Sequence, residues 1–238
     1  MGEQSAKLES LSRGQRYWLE WRGFLLFIAI MLVFRSAIAD WNQVPTGSMI
    51  PSILEGDRII VDKMAYDLRV PFTFVRLAHL ADPERSDVIT FESPKDGKLL
   101  VKRVIGIPGD VVELNHNHLI INGEVAAYEN IPAANLPEQV LRGLPHVEVA
   151  RETLLGKSRT VMTYRFKRPQ IRSSFGPITV PKGHYLVLGD NRDNSQDFRF
   201  IGFVNRDVIL GKANAIAFSL DYENYYLPRA DRFFRDLD

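Results

Sequence analysis

Residues Leu99–Ile107 read LLVKRVIGI and lead into the turn Gly106-Ile-Pro-Gly-Asp110. β-Branched and other apolar residues fill this stretch and a Pro-Gly pair ends it, which is typical of a short, buried β-strand. Similar stretches bounded by Pro, Gly or Asp occur at Asp57–Asp62, Ser86–Phe91 and Tyr185–Leu188. The sequence therefore predicts a mainly β fold.

The β pattern changes in the middle of the chain. Asn122-Gly123, between Leu119–Ile121 and Glu124–Ala126, is a strong hairpin signal. The region Asn115–Pro177 lacks the dense β-branched runs of its flanks, and it contains Pro132, Pro137, Pro145 and Pro169. We therefore expect a β core in two parts, 40–114 and 178–238, with a second, looser β lobe at 115–177 inserted between them.

An apolar segment lies near the N-terminus. Phe24–Phe34 (FLLFIAIMLVF) contains no polar residue, and the 17 residues of Gly23–Ala39 are at the short end of what spans a bilayer. Arg35 would place its guanidinium at the interface. The preceding segment 1–22 carries basic residues that favour a cytoplasmic N-terminus, namely Lys7, Arg13, Arg16 and Arg22. A single transmembrane anchor at 23–39 is therefore predicted, with everything after Asp40 outside.

Two other interpretations of this segment remain open. A buried core helix could contain eleven successive apolar residues, although polar positions normally interrupt a soluble amphipathic helix. The segment could instead be a cleavable signal peptide, since Ala37-Ile38-Ala39 before Asp40 is an A-x-A site. Arg35 ends the main apolar run only a few residues before that site, which favours the uncleaved anchor.

A shorter insertion at Asp67–Leu80 is also apolar, with Pro71, Phe72, Phe74 and Val75 close together. Beside a membrane anchor, such a cluster is suited to contact the lipid interface. Ordinary core packing is the alternative explanation of the same pattern.

The composition excludes several classes of protein. None of the 238 residues is cysteine, which rules out a cysteine nucleophile, a Cys-based zinc site and a disulfide framework. The net charge is +1 and there is no long basic run, so nothing points to a nucleic-acid partner. Gly189–Phe200 (GDNRDNSQDFRF) is rich in Asp and Asn, but Arg192 and Ser195 break the calcium-loop register.

Ser48 is the candidate nucleophile, in the loop Val44-Pro-Thr-Gly-Ser-Met-Ile-Pro51. Gly47 and the flanking prolines favour a loop that presents a hydroxyl and backbone N–H groups, although Gly-Ser between prolines is also a common turn. A serine hydroxyl needs a base to be nucleophilic at neutral pH. The sequence offers either a histidine or a lysine for that role.

A histidine base would form a Ser48–Asp110–His184 triad. Against it, Thr46 and Ile50 stand where a G-x-S-x-G nucleophile elbow requires glycine. The other histidines are interpreted as surface residues, namely His79, His116, His118 and His146.

Lys102 is the alternative base. Strand alternation places Leu100, Lys102 and Val104 on one face of Leu99–Ile107, so the lysine lies between two apolar neighbours. Burial there would lower its pKa from about 10.4 by about 2–3 units, toward the range a general base needs. The alternative is an exposed lysine that protects an edge strand from aggregation.

Four blocks together resemble the bacterial type I signal peptidase family. The family motifs are P-S-G-S-M-x-P, R-G-D-[IV]-[IV]-x-F, [YV]-x-K-R-x-[IV]-G-x-P-G-D and G-D-N-R-D-N-S-x-D-S-R. In the same order, this chain has Val44–Pro51, Arg85–Phe91, Val101–Asp110 and Gly189–Arg199. It departs from the motifs at Thr46 (for Ser), Ser86 (for Gly), Leu100 (for an aromatic residue) and Phe198 (for Ser).

The resemblance implies an antiparallel β catalytic core with an inserted second β domain, preceded by the transmembrane helix. It implies that Ser48 is the nucleophile, Lys102 the general base and Ser195 the residue that hydrogen-bonds and orients the lysine. Thr46 and the Ser48 backbone N–H would bind the oxyanion. An ion-pair scaffold would be formed by Arg103, Asp190, Asp197 and Arg199, and the substrate pocket would include Met49 and Leu100. Neither a metal nor an organic cofactor is expected.

The implied function is removal of signal peptides from secretory preproteins, after small residues in an Ala-x-Ala pattern. The enzyme would cross the bacterial cytoplasmic (inner) membrane once, with its catalytic domain on the periplasmic side. A soluble, self-cleaving Ser/Lys repressor is one rival, although the chain has an apolar anchor and no DNA-binding module. The other rival is a catalytically inactive, membrane-tethered β domain that binds exported chains.

Overall fold

The computed structural model describes residues 12–73, 75–142, 146–166 and 172–237, without the side chains of Arg13, Arg16 and Ala133. The sequence features noted at Lys7, Phe74, Pro145 and Pro169 lie outside the described residues, as do the side chains of Arg13 and Arg16. The helices are α1 (Arg13–Ala37), α2 (Glu138–Leu141) and α3 (Phe198–Ile201). The strands are β1 (Ala39–Gln43), β2 (Asp57–Asp62), β3 (Asp67–Arg69), β4 (Arg76–His79), β5 (Val88–Glu92), β6 (Leu99–Gly106), β7 (Val111–Asn115), β8 (His118–Ile121), β9 (Glu124–Val125), β10 (Ala127–Asn130), β11 (Val147–Leu154), β12 (Lys157–Tyr164), β13 (Phe175–Thr179), β14 (His184–Leu188), β15 (Val204–Asn205), β16 (Ile209–Asp221), β17 (Leu227–Pro228) and β18 (Arg235–Asp236).

The apolar segment forms one long helix, α1. Its residues Tyr17–Ala37 have a mean hydropathy of 1.6, and apart from Ala37 at the end they are not buried against the rest of the chain, so the core-helix interpretation is wrong. The helix starts ten residues before the predicted Gly23, because Ser12 and Gln15 form a capping box. At about 1.5 Å per residue, the 25 residues of α1 are long enough to cross a bilayer.

The helix passes into the β domain with almost no linker. Ile38 alone separates Ala37 from β1, so Ala39, predicted as the end of the anchor, belongs to a strand and pairs with Asp62. Lys63 binds the end of the helix, with its Nζ 2.9 Å from the carbonyl oxygen of Arg35.

The main sheet has the strand order β1-β2-β16-β5-β6-β14-β15, with β17 and β18 also paired to β16. Every strand pair within the described sheets is antiparallel, which confirms the predicted mainly β, antiparallel fold. β6 lies between β5 and β14, and Lys102 on it is 2% exposed. The interpretation of Lys102 as an exposed edge-strand lysine is therefore wrong.

Two smaller sheets occupy the middle of the chain, in the orders β13-β7-β8-β9 and β10-β11-β12. The predicted hairpin at Asn122-Gly123 is confirmed: both residues have positive φ, 52° and 83°, as a tight two-residue turn requires. β7 and β13 span residues 111–115 and 175–179, across the two predicted limits of the inserted lobe. The division into 40–114, 115–177 and 178–238 stays a prediction.

The insertion at Asp67–Leu80 is the β3–β4 hairpin, which lies against the end of α1. Phe72 donates its backbone N–H to Ser36 Oγ at 2.6 Å. The side chains of Phe72 and Val75 are 67% and 60% exposed, so these two residues are not core residues.

Candidate active site

Ser48 lies in a single 3-10 turn, Gly47–Met49, that is fixed by the loop after β14. The Asn191 side chain donates to the Gly47 carbonyl at 3.0 Å, and its backbone N–H donates to the Ser48 carbonyl at 3.1 Å. A Cβ at Gly47 would lie 2.8 Å from the end of the Ile50 side chain, so a larger residue there would require Ile50 to move. Ser48 is thus held in a defined position and is itself 9% exposed.

Lys102 reaches Ser48 from the neighbouring strand. Its Nζ donates to Ser48 Oγ at 2.7 Å and to the carbonyl oxygen of Val101 at 2.8 Å. Burial disfavours the ammonium form and lowers the pKa of Lys102 to about 8, although Asp197 and Asp190 act in the opposite direction. The predicted lowering of this pKa is confirmed, and a measurable fraction of the lysine is neutral near physiological pH.

Ser195 lies close by but differs from its predicted arrangement. Its Oγ is buried and has no hydrogen-bond partner among the described residues, so the expected bond to Lys102 is not formed here. The hydroxyl instead lies against Gly189, where an added Cβ would be 2.3 Å from it. The Lys102 amine donates hydrogen bonds to Ser48 and to Val101, and it does not donate one to Ser195.

The four predicted scaffold residues form two buried ion pairs. Arg103 makes two hydrogen bonds of 2.9 Å to the Asp190 carboxylate, and Arg199 contacts Asp197 at 2.7 Å and 2.8 Å. Asp197 also accepts the Gly189 backbone N–H at 3.0 Å and caps α3. The Arg103–Asp190 pair connects β6 to the loop Gly189–Ser195, and the Arg199–Asp197 pair connects the start of α3 to the same loop through Gly189 and Arg192.

A cleft of about 600 Å³ opens over Ser48 and Lys102. Thr46 and Leu100 border it, as the predicted oxyanion and pocket residues should. Met49 does not line the cleft: it is 1% exposed and packs in a core cluster with Ile53 and Val88. Its assignment as a pocket residue is therefore corrected, because the 3-10 turn points Met49 away from the solvent.

Sequence reasoning missed several residues that also line the cleft. Lys98 and Gln196 lie beside predicted residues, but nothing in their type singled them out. Tyr164 and Arg172 come from segments with no recognisable motif, and the fold alone brings them to the site, whereas Phe200 directly follows the motif Gly189–Arg199. The full set of unpredicted lining residues includes Lys98, Tyr164, Arg172, Arg192, Asp193, Asn194, Gln196 and Phe200.

The alternative triad is not assembled. Asp110 closes its turn by accepting the Ile107 N–H and pairs with Arg85 at 2.5 Å and 2.8 Å. His184 bonds the carbonyl oxygen of Lys182 at 3.1 Å, and its ring contacts Phe203. The Ser48–Asp110–His184 interpretation is therefore wrong, whereas the other four histidines are exposed as predicted.

Comparison with known proteins shows which family the chain belongs to. Residues 17–218 match the family described as "Signal peptidase, peptidase S26". Signal peptidase I of Pseudomonas fluorescens is 34% identical over 82% of this chain and 70% of its own length, and that of Pseudomonas aeruginosa is 33% identical over 89% and 76%. The signal peptidase I of Rickettsia bellii is 34% identical over 84% of this chain and 73% of its own length.

A crystal structure of a signal peptidase I from Enterococcus faecalis also aligns, with 29% identity, over 56% of this chain and 97% of that chain, at a TM-score of 0.34. The family description and the names of these relatives indicate a serine peptidase. The chain belongs to the signal peptidase family, peptidase S26.

Proposed function

We propose that this protein is a membrane-anchored signal peptidase I that cleaves preproteins after Ala-x-Ala by a Ser48/Lys102 dyad. The observation that carries the proposal is the 2.7 Å contact between Lys102 Nζ and Ser48 Oγ, in a buried setting that lowers the pKa of the lysine to about 8. A lysine with its ordinary pKa would stay protonated at neutral pH and would have no lone pair for the serine proton.

The first chemical step is attack of Ser48 on the substrate carbonyl. Neutral Lys102 accepts the Ser48 proton as the oxygen attacks, and Val101 keeps the amine oriented through its carbonyl oxygen. The lysine then protonates the leaving amine of the mature chain. Water, deprotonated by the same lysine, attacks the acyl-enzyme and releases the signal peptide, and the lysine returns the proton to Ser48 Oγ, so one residue serves as base and then acid in each half of the reaction.

The oxyanion would be bound at the start of the 3-10 turn. The first N–H groups of a helical turn have no partner within it, which leaves the Ser48 N–H available to a ligand. Thr46 precedes the turn in an extended conformation, is exposed and borders the cleft, so its hydroxyl is available as the second donor.

An extended substrate places alternate side chains on the same face, so the residues at positions −1 and −3 would both face the cleft. Small residues at these positions would fit it. Leu100 and the buried turn at Ser48 border the space next to the scissile carbonyl. A large side chain at −1 would therefore clash with the protein.

The helix α1 would anchor the protein in the cytoplasmic membrane, with the β domain on the periplasmic side. Its end carries features suited to an interface: Arg35 pairs with Asp40 at 2.8 Å and stacks over Trp41 at 4.5 Å. The exposed Phe72 and Val75 of the β3–β4 hairpin lie beside that end and would contact lipid.

Cleavage of a purified precursor tests the proposal. The full-length protein in detergent should cut a secretory preprotein after its Ala-x-Ala site, and Ser48→Ala should not. A precursor with Phe at −1 should remain intact. Binding of the precursor without cleavage by the unmodified protein would instead indicate an inactive tethered β domain.

A further inference from the structure

The sheet β10-β11-β12 contributes a buried carboxylate near the proposed active site, and this carboxylate belongs to none of the motifs described above. Glu152 on β11 is 0% exposed and contacts three side chains. It accepts hydrogen bonds from Arg192 Nη2 at 2.8 Å, Arg159 Nε at 2.5 Å and Tyr128 OH at 2.6 Å. A second oxygen contact to Arg192 Nη1 measures 2.7 Å.

Arg192 connects this carboxylate to the proposed catalytic residues. It belongs to the loop Gly189–Ser195, immediately after Asn191, whose side chain and N–H hold Gly47 and Ser48. The edge of β12 supports the same loop: Met162 donates its N–H to the Asp190 carbonyl and accepts the N–H of Arg192, both at 2.8 Å. The sheet β10-β11-β12 therefore contacts the loop through backbone hydrogen bonds of Met162 and through the buried Glu152–Arg192 ion pair.

The charges explain why Glu152 matters for this loop. Burial alone would raise the pKa of Glu152, but Arg192 and Arg159 lower it to about 2, so it stays ionised. Without it, Arg192 would lose a carboxylate that it contacts directly while its own charge stays buried, which is strongly unfavourable. Asp190 is a carboxylate that already acts on Arg192 electrostatically, and it is bound by Arg103.

We propose that Glu152 is a positioning residue for the Ser48–Lys102 pair, acting through Arg192; this rests on the function proposed above. When Glu152 is lost, Arg192 competes with Arg103 for Asp190, and the loop that holds the Ser48 turn shifts. Displacement of reacting groups by about 1 Å costs on the order of 100-fold in rate, even when the substitution is remote from the reaction.

The test compares Glu152→Gln with Arg159→Met, in full-length protein in detergent with an Ala-x-Ala precursor. Both changes remove the Glu152–Arg159 ion pair, but Arg159 contacts Ser86 on the other side and does not touch the loop. We expect Glu152→Gln to lower kcat by about 10- to 100-fold with little change in KM. Arg159→Met should keep kcat within about 3-fold of the unmodified enzyme, because the Glu152–Arg192 pair remains.

Arg192→Lys tests the same contact from the loop if Glu152→Gln does not fold. It keeps a buried cation opposite Glu152 but loses the two-point contact, so kcat should again fall by about 10-fold or more. Equal loss of kcat in Arg159→Met, or unchanged kcat in Glu152→Gln or Arg192→Lys, would overturn the positioning role. Failure of the unmodified protein to cleave the precursor would instead overturn the proposed function itself.

Discussion

Arg103 and Asp190 face each other in the interior with two hydrogen bonds of 2.9 Å, and Arg103 directly follows Lys102 in the chain. The Asp190 charge raises the pKa of Lys102 and so opposes the effect of burial. The pair therefore contributes to stability and also adjusts the proton affinity of the proposed base.

Asp190→Asn should affect both properties. The variant leaves Arg103 buried and unpaired, which should lower the free energy of unfolding by about 3–5 kcal/mol. With the negative charge removed, the pKa of Lys102 should fall further, so the acidic limb of the kcat/KM profile moves to lower pH. Asp110→Asn is the control, because it breaks the partly buried Arg85–Asp110 pair and should leave that limb in place. A limb that moves to higher pH in Asp190→Asn would contradict the prediction.

The pH dependence of the unmodified enzyme follows from Lys102. Below its pKa of about 8 the ammonium cannot accept a proton, so kcat/KM should rise with pH through about 8 and then level off. Lys102→Arg should be inactive because guanidinium stays protonated, and Lys102→Met because it has no basic atom. The profile is measured by precursor cleavage between pH 6 and about 10. Substantial turnover by either variant would mean that another group is the base.

Lys102→Met should also be more stable than the unmodified protein at pH 7. Lowering the pKa from 10.5 to about 8 corresponds to about 3 kcal/mol at about 1.4 kcal/mol per unit. The unfolded chain binds the proton more tightly, so the penalty is fully present below pH 8 and decreases as pH rises toward 10.5.

Denaturant unfolding measures this effect. The stability difference between Lys102→Met and the unmodified protein should shrink by about 2 kcal/mol between pH 7 and about 10. Lys98→Met, which changes an exposed lysine just before the same strand, should show no such change. An equal or lower stability of Lys102→Met at pH 7 would show that burial of the lysine is not costly.

Ser195→Ala should retain partial activity and nearly full stability. The Ser195 hydroxyl has no hydrogen-bond partner among the described residues, so its removal breaks no observed bond. Because the proposed proton transfer runs between Ser48 and Lys102, and Lys102 keeps its bonds to Ser48 and Val101, loss of Ser195 leaves the base in place. Kinetics beside a thermal melt check both statements, and complete inactivity of a folded variant would assign Ser195 a direct part in proton transfer.

The Ala39–Asp40 peptide bond should remain intact although Ala37-Ile38-Ala39 resembles a cleavage site. Ala39 and Asp40 are paired in β1 with Asp62 and Val61, and Asp40 also binds Arg35, so the bond would have to leave the sheet before it could enter an active-site cleft. N-terminal sequencing of membrane-extracted protein should find residues before Asp40. A chain beginning at Asp40 would identify the segment as a cleaved signal peptide.

Local patterns were sufficient to predict the strand around Lys102, because alternating apolar residues and the Pro-Gly turn are contiguous in sequence. The start of α1 is also encoded in the sequence, by the capping box of Ser12 and Gln15. It was missed because these residues precede the apolar run on which the prediction of the anchor was based. Glu152 and Arg192 could not be paired in this way. Their contact spans 40 residues, and Glu152 lies in a segment without a recognisable motif.

The junction between α1 and β1 has a mechanical consequence. One residue connects them, and Lys63 and Phe72 bind the last turn of the helix, so the β domain has no hinge about which to swing. With the helix in a bilayer, the height of Ser48 above the lipid becomes a fixed dimension of the protein. The enzyme would then cut a membrane-inserted precursor only at a peptide bond that lies at the same height above the lipid as Ser48.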